Sequence, residues 1–116
     1  MEIREERSDG TLVIALAGRV DSNSSGELEK RLLRHVAEGA RRVVIDLQGV
    51  EYISSAGLRV LLLAASKLRP VGGQVVLCAM GRPVREVFDL AGLTALFPVE
   101  ATRAEALNRI ASEGRE

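Results

Sequence analysis

Asp46-Leu47-Gln48-Gly49-Val50-Glu51-Tyr52-Ile53-Ser54-Ser55-Ala56-Gly57-Leu58-Arg59 is the stretch on which the fold of this chain turns. It is entered from Val43-Val44-Ile45, which runs on into Asp46-Leu47 as a β-branched, nearly continuous apolar segment. Such a run is expected of a strand covered on both faces or central in a sheet. The residues through Gly49 and Tyr52 predict a loop. A helix then begins near Ser55, because Leu58, Leu61, Leu62, Ala65 and Leu68 fall on one face before Pro70 and Gly72-Gly73 stop it. Strand, loop, small residues and amphipathic helix follow one another within 30 residues, which is the grammar of an α/β unit.

Toward the N-terminus, Ser8-Asp9-Gly10 is a turn signal between a short polar strand, Ile3 to Arg7, and the apolar run Leu12 to Ala17. A β-hairpin is predicted, its second strand ending at Gly18. Ser24 with Glu27 has capping-box spacing, Leu28, Leu32 and Val36 recur at four-residue intervals, and Gly39 marks the stop of a first helix. Toward the C-terminus, Gln74 to Ala79 reads as another buried strand. Pro83 suits a first helical position, and Val84, Val87, Phe88 and Ala91 define a third helix ending at Gly92. A short strand around Leu96-Phe97 and a last helix after the Thr102/Glu105 capping spacing, carrying Leu107 and Ile110, complete the pattern. The expectation is an α/β fold in a single domain spanning residues 1–116, with a mixed sheet of four or five strands and about four helices packed mainly on one side.

Composition narrows the function classes. Sixteen basic residues balance sixteen acidic ones, so no net field draws the 116-residue chain to nucleic acid or an anionic membrane. Tyr52, Phe88 and Phe97 are its only aromatic residues, too few for a base-stacking platform. Direct nucleic-acid binding and membrane insertion are therefore not expected, and a protein partner is. The first residues lack the apolar stretch of a signal peptide and no apolar run is long enough to span a bilayer, which predicts a cytoplasmic protein. The lone cysteine, Cys78, sits in an apolar run and reads as a small buried hydrophobe. Neither a metal nor a cofactor is expected: there is no P-loop, no Gly-x-Gly-x-x-Gly turn and no cysteine cluster. An enzyme is not expected either, since Ser54-Ser55-Ala56-Gly57 is not a Gly-x-Ser-x-Gly elbow and the single histidine, His35, falls inside the first helix as a partly exposed residue.

Ser54 and Ser55 admit two readings on spacing alone. One of them can simply cap the helix. Alternatively, a serine exposed at a helix start, beside the small Ala56 and Gly57, is open to another protein's active site, and phosphate there would add about −1.5 to −2 charges at a position whose free amides tolerate an anion. Asp21 divides between a turn residue and a partner contact, and Asp46 between a hydrogen-bonded anchor, which is favoured, and part of a recognition surface. Arg59, four residues after Ser55, is either an ordinary solvated helix residue or a guanidinium within reach of a phosphoserine.

The segment from Asp46 to Arg59 closely resembles the signature of the bacterial anti-sigma-factor antagonists, the STAS-domain family. Gly18-Arg19-Val20-Asp21, Gly72-Gly73-Gln74-Val75-Val76-Leu77 and Pro83 to Leu93 resemble three further family segments in the right order. The resemblance implies a partner-switching protein. Its phosphorylated position falls on Ser55, and Ser54 stands where many members carry Asp. By the same resemblance, the unmodified protein binds an anti-sigma factor that is also a serine kinase, a serine phosphatase restores it after modification, and the contact surface comprises Asp21, Ser54, Ser55, Ala56, Gly57 and Arg59. A monomer or weak dimer is expected. STAS domains also serve in transporters, lipid-transport complexes and stress-sensing scaffolds, which is the alternative reading, without a phosphorylation switch.

Overall fold

A computed structural model describes residues 1–113. The elements are β1 (Glu2–Ser8), β2 (Thr11–Val20), α1 (Ser25–Ala37), β3 (Arg42–Ile53), α2 (Ser55–Leu68), β4 (Gln74–Cys78), α3 (Arg82–Leu90), β5 (Val99–Glu100) and α4 (Arg103–Glu113). One five-stranded sheet has the order β1-β2-β3-β4-β5. β1 is antiparallel to β2 across a turn in which Asp9 and Gly10 both have positive φ, at 48° and 82°. The remaining pairs are parallel. The mixed α/β sheet expected from the sequence is therefore present.

The layering follows from chain order and handedness. Each parallel connection steps to the next strand in the same direction, and right-handed crossovers that always step one way place their helices on one face. Accordingly, α1, α2 and α3 pack against Leu12, Ile14, Leu16, Val43, Ile45, Leu47, Val75 and Leu77 through Leu28, Leu32, Leu61, Leu68, Val84 and Phe88. α4 covers the other face. Its Ala106 and Ile110 pack on Val13, Val44, Val76 and Cys78.

Several boundaries differ from the sequence reading. The segment predicted as a loop through Gly49 and Tyr52 is a continuation of β3 to Ile53, and β2 continues past Gly18 to Val20. β3 pairs with β4 only as far as Asp46, and beyond that point it pairs with β2 alone, through register shifts. A strand supported on one side and interrupted by bulges loses regular burial alternation, so its polar residues imitate a loop. Gly49 is required there: a Cβ would stand 2.8 Å from that of Ala17. The strand expected around Leu96-Phe97 is absent, since Leu93–Ala95 forms a 3₁₀ turn and β5 lies at Val99–Glu100. Phe97 instead packs edge-on against Phe88, with ring centroids 6.4 Å apart. Pro83 occupies the second rather than the first position of α3, and Leu62 is exposed while Val60 and Ala64 are buried.

Candidate functional site

The ends of β2 and β3 bring the sequence-predicted residues together. Val20 is opposite Ile53, so Asp21 and Ser54 leave the sheet side by side. The Ser54 amide donates to the Val20 carbonyl at 2.8 Å, tying the two exits. Ser54 is extended (φ −92°, ψ 172°), and its hydroxyl accepts from the Gly57 amide at 3.3 Å as the N-cap of α2. That cap satisfies one of the amides left free at a helix start. Ser55 is the first residue of α2 and is exposed, and among the described residues its hydroxyl has no hydrogen-bond partner.

Gly57 has a different role from the one its size suggested. It is buried, and a Cβ at this position would stand 2.8 Å from Val20 Cγ1 and 2.9 Å from Ile53 Cγ1. Its smallness seats α2 on the strand ends rather than leaving room for a visitor. Ala56 is half-buried, so Ser55 is the residue of this turn that faces outward.

The neighbouring loop is internally organised. Asp21 Oδ1 accepts from the amides of Asn23 (3.0 Å) and Ser24 (3.3 Å). The Asp21 amide donates to Ser24 Oγ at 3.0 Å, and that hydroxyl donates to the Arg19 carbonyl at 3.0 Å. Ser24 precedes α1 but closes this loop instead of forming the expected capping box with Glu27; no side-chain cap bond is present. Thr102 does cap its helix: the Glu105 amide donates to Thr102 Oγ1 at 3.1 Å, and the threonine hydroxyl donates to Glu105 Oε1 at 3.0 Å.

Arg59 does not turn back toward Ser55. Its Nη2 lies 2.7 Å from Glu29 Oε1 on α1, linking the two helices across their exposed faces. Asp46 anchors structure on the opposite sheet face: it is 4% exposed, accepts from the Gln48 amide (2.9 Å), and receives Arg103 Nε at 2.8 Å. That bond to Asp46 raises the Arg103 pKa. Cys78 is fully buried, and desolvation, followed by the negative charge of Asp46, pushes its thiol up to about 12. His35 is partly exposed within α1, its side chain at 11%, with Nε2 3.0 Å from Glu5 Oε1 in an alignment too poor for a hydrogen bond.

Two residues beside the site were not singled out from sequence. Tyr52 is 40% exposed, and the Arg19 guanidinium lies 4.3 Å from its ring centroid while reaching Asp21 Oδ2 at 3.8 Å. An exposed tyrosine two residues before the capping serine was the available signal. Arg19 was invisible because it meets Tyr52 only through strand register. The result is an outward surface of a cation, an aromatic ring, a carboxylate and a free hydroxyl at one end of the sheet. Among the described residues, no group of three or more histidine, cysteine, aspartate or glutamate side chains could hold a metal ion.

Known proteins share this arrangement of strands and helices. BtrV of Bordetella bronchiseptica, whose name assigns it to the anti-sigma factor antagonists, is 46% identical over 106 residues, 91% of each chain. The anti-sigma-F factor antagonist RsfB of Mycobacterium tuberculosis is 30% identical, covering 88% of this chain and 83% of its own. The crystal structure of an anti-sigma factor antagonist from Mycobacterium paratuberculosis superposes with a TM-score of 0.88 at 31% identity, over 95% of this chain and 93% of that one. The STAS domain family matches residues 2–106, nearly the whole described fold, and the chain belongs to that family.

Proposed function

We propose that this chain is an anti-sigma-factor antagonist that switches partners through phosphorylation of Ser55. The observation that carries the reading is the division of labour between adjacent serines: Ser54 is engaged as the α2 cap, whereas Ser55 is exposed with an unengaged hydroxyl. Similarity to named antagonists across almost the whole chain supports the regulatory class rather than an enzyme.

In this mechanism, the surface of Asp21, Tyr52, Ser55 and the start of α2 docks on a cytoplasmic anti-sigma factor that is itself a serine kinase, releasing its sigma factor. Phosphoryl transfer from the kinase's ATP forms the Ser55 Oγ–phosphorus bond, breaks the bond from the γ-phosphorus to ADP, and passes the serine proton to a base on the kinase. The α2 N-terminus tolerates the new anion through its free amides. The interface does not, because the added charge must be desolvated against the partner. A cost of about 2 kcal/mol or more corresponds to a loss of affinity of at least about tenfold. A serine phosphatase resets the protein.

Phosphopeptide mass spectrometry after incubation with a cognate kinase and ATP is expected to place the modification on Ser55 and not on Ser54, Ser66 or Ser112. Titration is expected to show Ser55→Ala binding like the unmodified protein and Ser55→Asp binding at least about tenfold more weakly. Phosphate on Ser54, or an undiminished affinity of the Asp variant, rejects the mechanism.

A further inference from the structure

We infer that β1 is a self-association edge, pairing antiparallel with β1 of a second copy of this chain in a register centred on Glu5, so that two five-stranded sheets join into one. β1 is an outer strand of the sheet and runs seven residues, Glu2–Ser8, without proline or glycine. The opposite edge, β5, has only two residues. A long, regular edge with free backbone groups is a template for another strand.

The register follows from the hairpin. With two turn residues of positive φ, Ser8 and Thr11 form the closing pair that exchanges backbone hydrogen bonds. Alternation then directs the backbone groups of Glu6, Arg4 and Glu2 toward β2, and those of Arg7, Glu5 and Ile3 outward. A two-fold axis through a continuous antiparallel sheet passes between a residue and its own copy, whether that residue's backbone is directed outward or toward β2. Centring on Arg4 or Glu6 sets two like charges opposite each other in the pair whose side chains lie closest. Centring on Arg7 sets that arginine against its own copy and aligns little else. Centring on Ile3 uses only the first five residues. Centring on Glu5 aligns all of β1 with all of its copy.

The charges fit that same register. Arg4 comes opposite Glu6 of the second copy, twice by symmetry, in the pairs whose side chains lie closest. Arg7 comes diagonal to Glu5 of the second copy. Both arginines are exposed, and among the described residues neither has an ion-pair partner within the chain. Glu6 already receives Arg103 Nη1 at 2.7 Å, so the approaching arginine extends a row of alternating charge. The one like-charged pair directly opposite, Glu5 against its copy, is moderated from within each chain by Arg31 Nη1 at 3.6 Å. The edge charges that would repel an arbitrary strand therefore complement this one. The association does not depend on Ser55.

Sedimentation velocity of the full chain tests this. The unmodified protein is expected to dimerise with a dissociation constant of about 10–100 μM in low salt, consistent with a small interface, and more weakly at about 0.5 M salt, where the charge pairs are screened. Arg4→Glu, which removes no ion pair of the monomer, is expected to weaken the dimer at least about tenfold. Mixing Arg4→Glu with Glu6→Arg restores opposite charges at both sites, and heterodimers are expected within about threefold of the original affinity. A chain that stays monomeric at about 500 μM overturns the inference, as does a dimer indifferent to Arg4→Glu.

Discussion

At Gly57 the missing side chain is set by the approach of Val20 and Ile53, each within 3 Å of where a Cβ would stand. Gly57→Ala must push α2 away from the strand ends, and a loss of about 1–3 kcal/mol is expected in urea unfolding, as for other overpacked sites. Ser54→Ala should cost less, about 1 kcal/mol, since it deletes one cap bond at an incompletely buried position. Cys78 offers a test of a different kind. Its thiol is buried and its pKa is raised from 9.0 to about 12, so the folded protein should resist iodoacetamide at pH 8 while the urea-unfolded chain reacts readily. The same shift fixes a sign in pH dependence. Above pH 9 the unfolded thiol ionises while the folded one does not, so stability is fully present below pH 9 and falls as pH rises toward about 12. Cys78→Ala should flatten that part of the stability profile.

Among the elements, α4 is attached through a buried carboxylate as well as by packing. Arg103, its first residue, reaches Asp46 at the last β3–β4 pair and Glu6 on β1, so one guanidinium clamps the helix start to two strands. Arg103→Met leaves the buried Asp46 carboxylate with only the Gln48 amide. A loss of about 2 kcal/mol is expected, below the usual figure for breaking a buried pair because the Arg103 side chain is 34% exposed. Native-state hydrogen exchange should show the loss as faster opening of α4 relative to α2. If both helices open equally, the clamp belongs to the whole fold rather than to α4.

At the scale of the molecule, the two sheet faces separate the tasks. The α1–α3 side holds the larger core and carries the Ser55 turn, whereas α4 covers the other side. A charge placed on Ser55 is therefore expected to act locally. Amide chemical shifts of Ser55→Asp should move at Asp21 to Ser24 and at Tyr52 to Leu58, with α4 and β1 unchanged and a melting temperature within about 3 °C of the parent. Shifts spreading through α4 would mean that the modification remodels the fold.

The sequence by itself determined the class of fold, the existence and order of the helices, and the serine pair on which the proposed switch rests. Apolar periodicity and glycine punctuation are local properties, and they survive without knowledge of neighbours. Val43 to Ile45 is buried in the structure because an unbroken β-branched run has no polar face to present to water. What tertiary structure decided is whatever depends on a residue's partner across space. Gln48 to Ile53 became strand because β2 offers hydrogen bonds that its own polar composition does not advertise. Gly57 became an internal packing residue because Val20 and Ile53 close on it, and Arg59 turned from Ser55 because Glu29 on α1 lies within reach. Ser24 and Thr102 carry the same capping spacing, yet the Ser24 hydroxyl is drawn into the Asp21 loop while that of Thr102 stays with its helix. Spacing shows which bonds a side chain could make, and competition among partners in the folded chain selects which it does make.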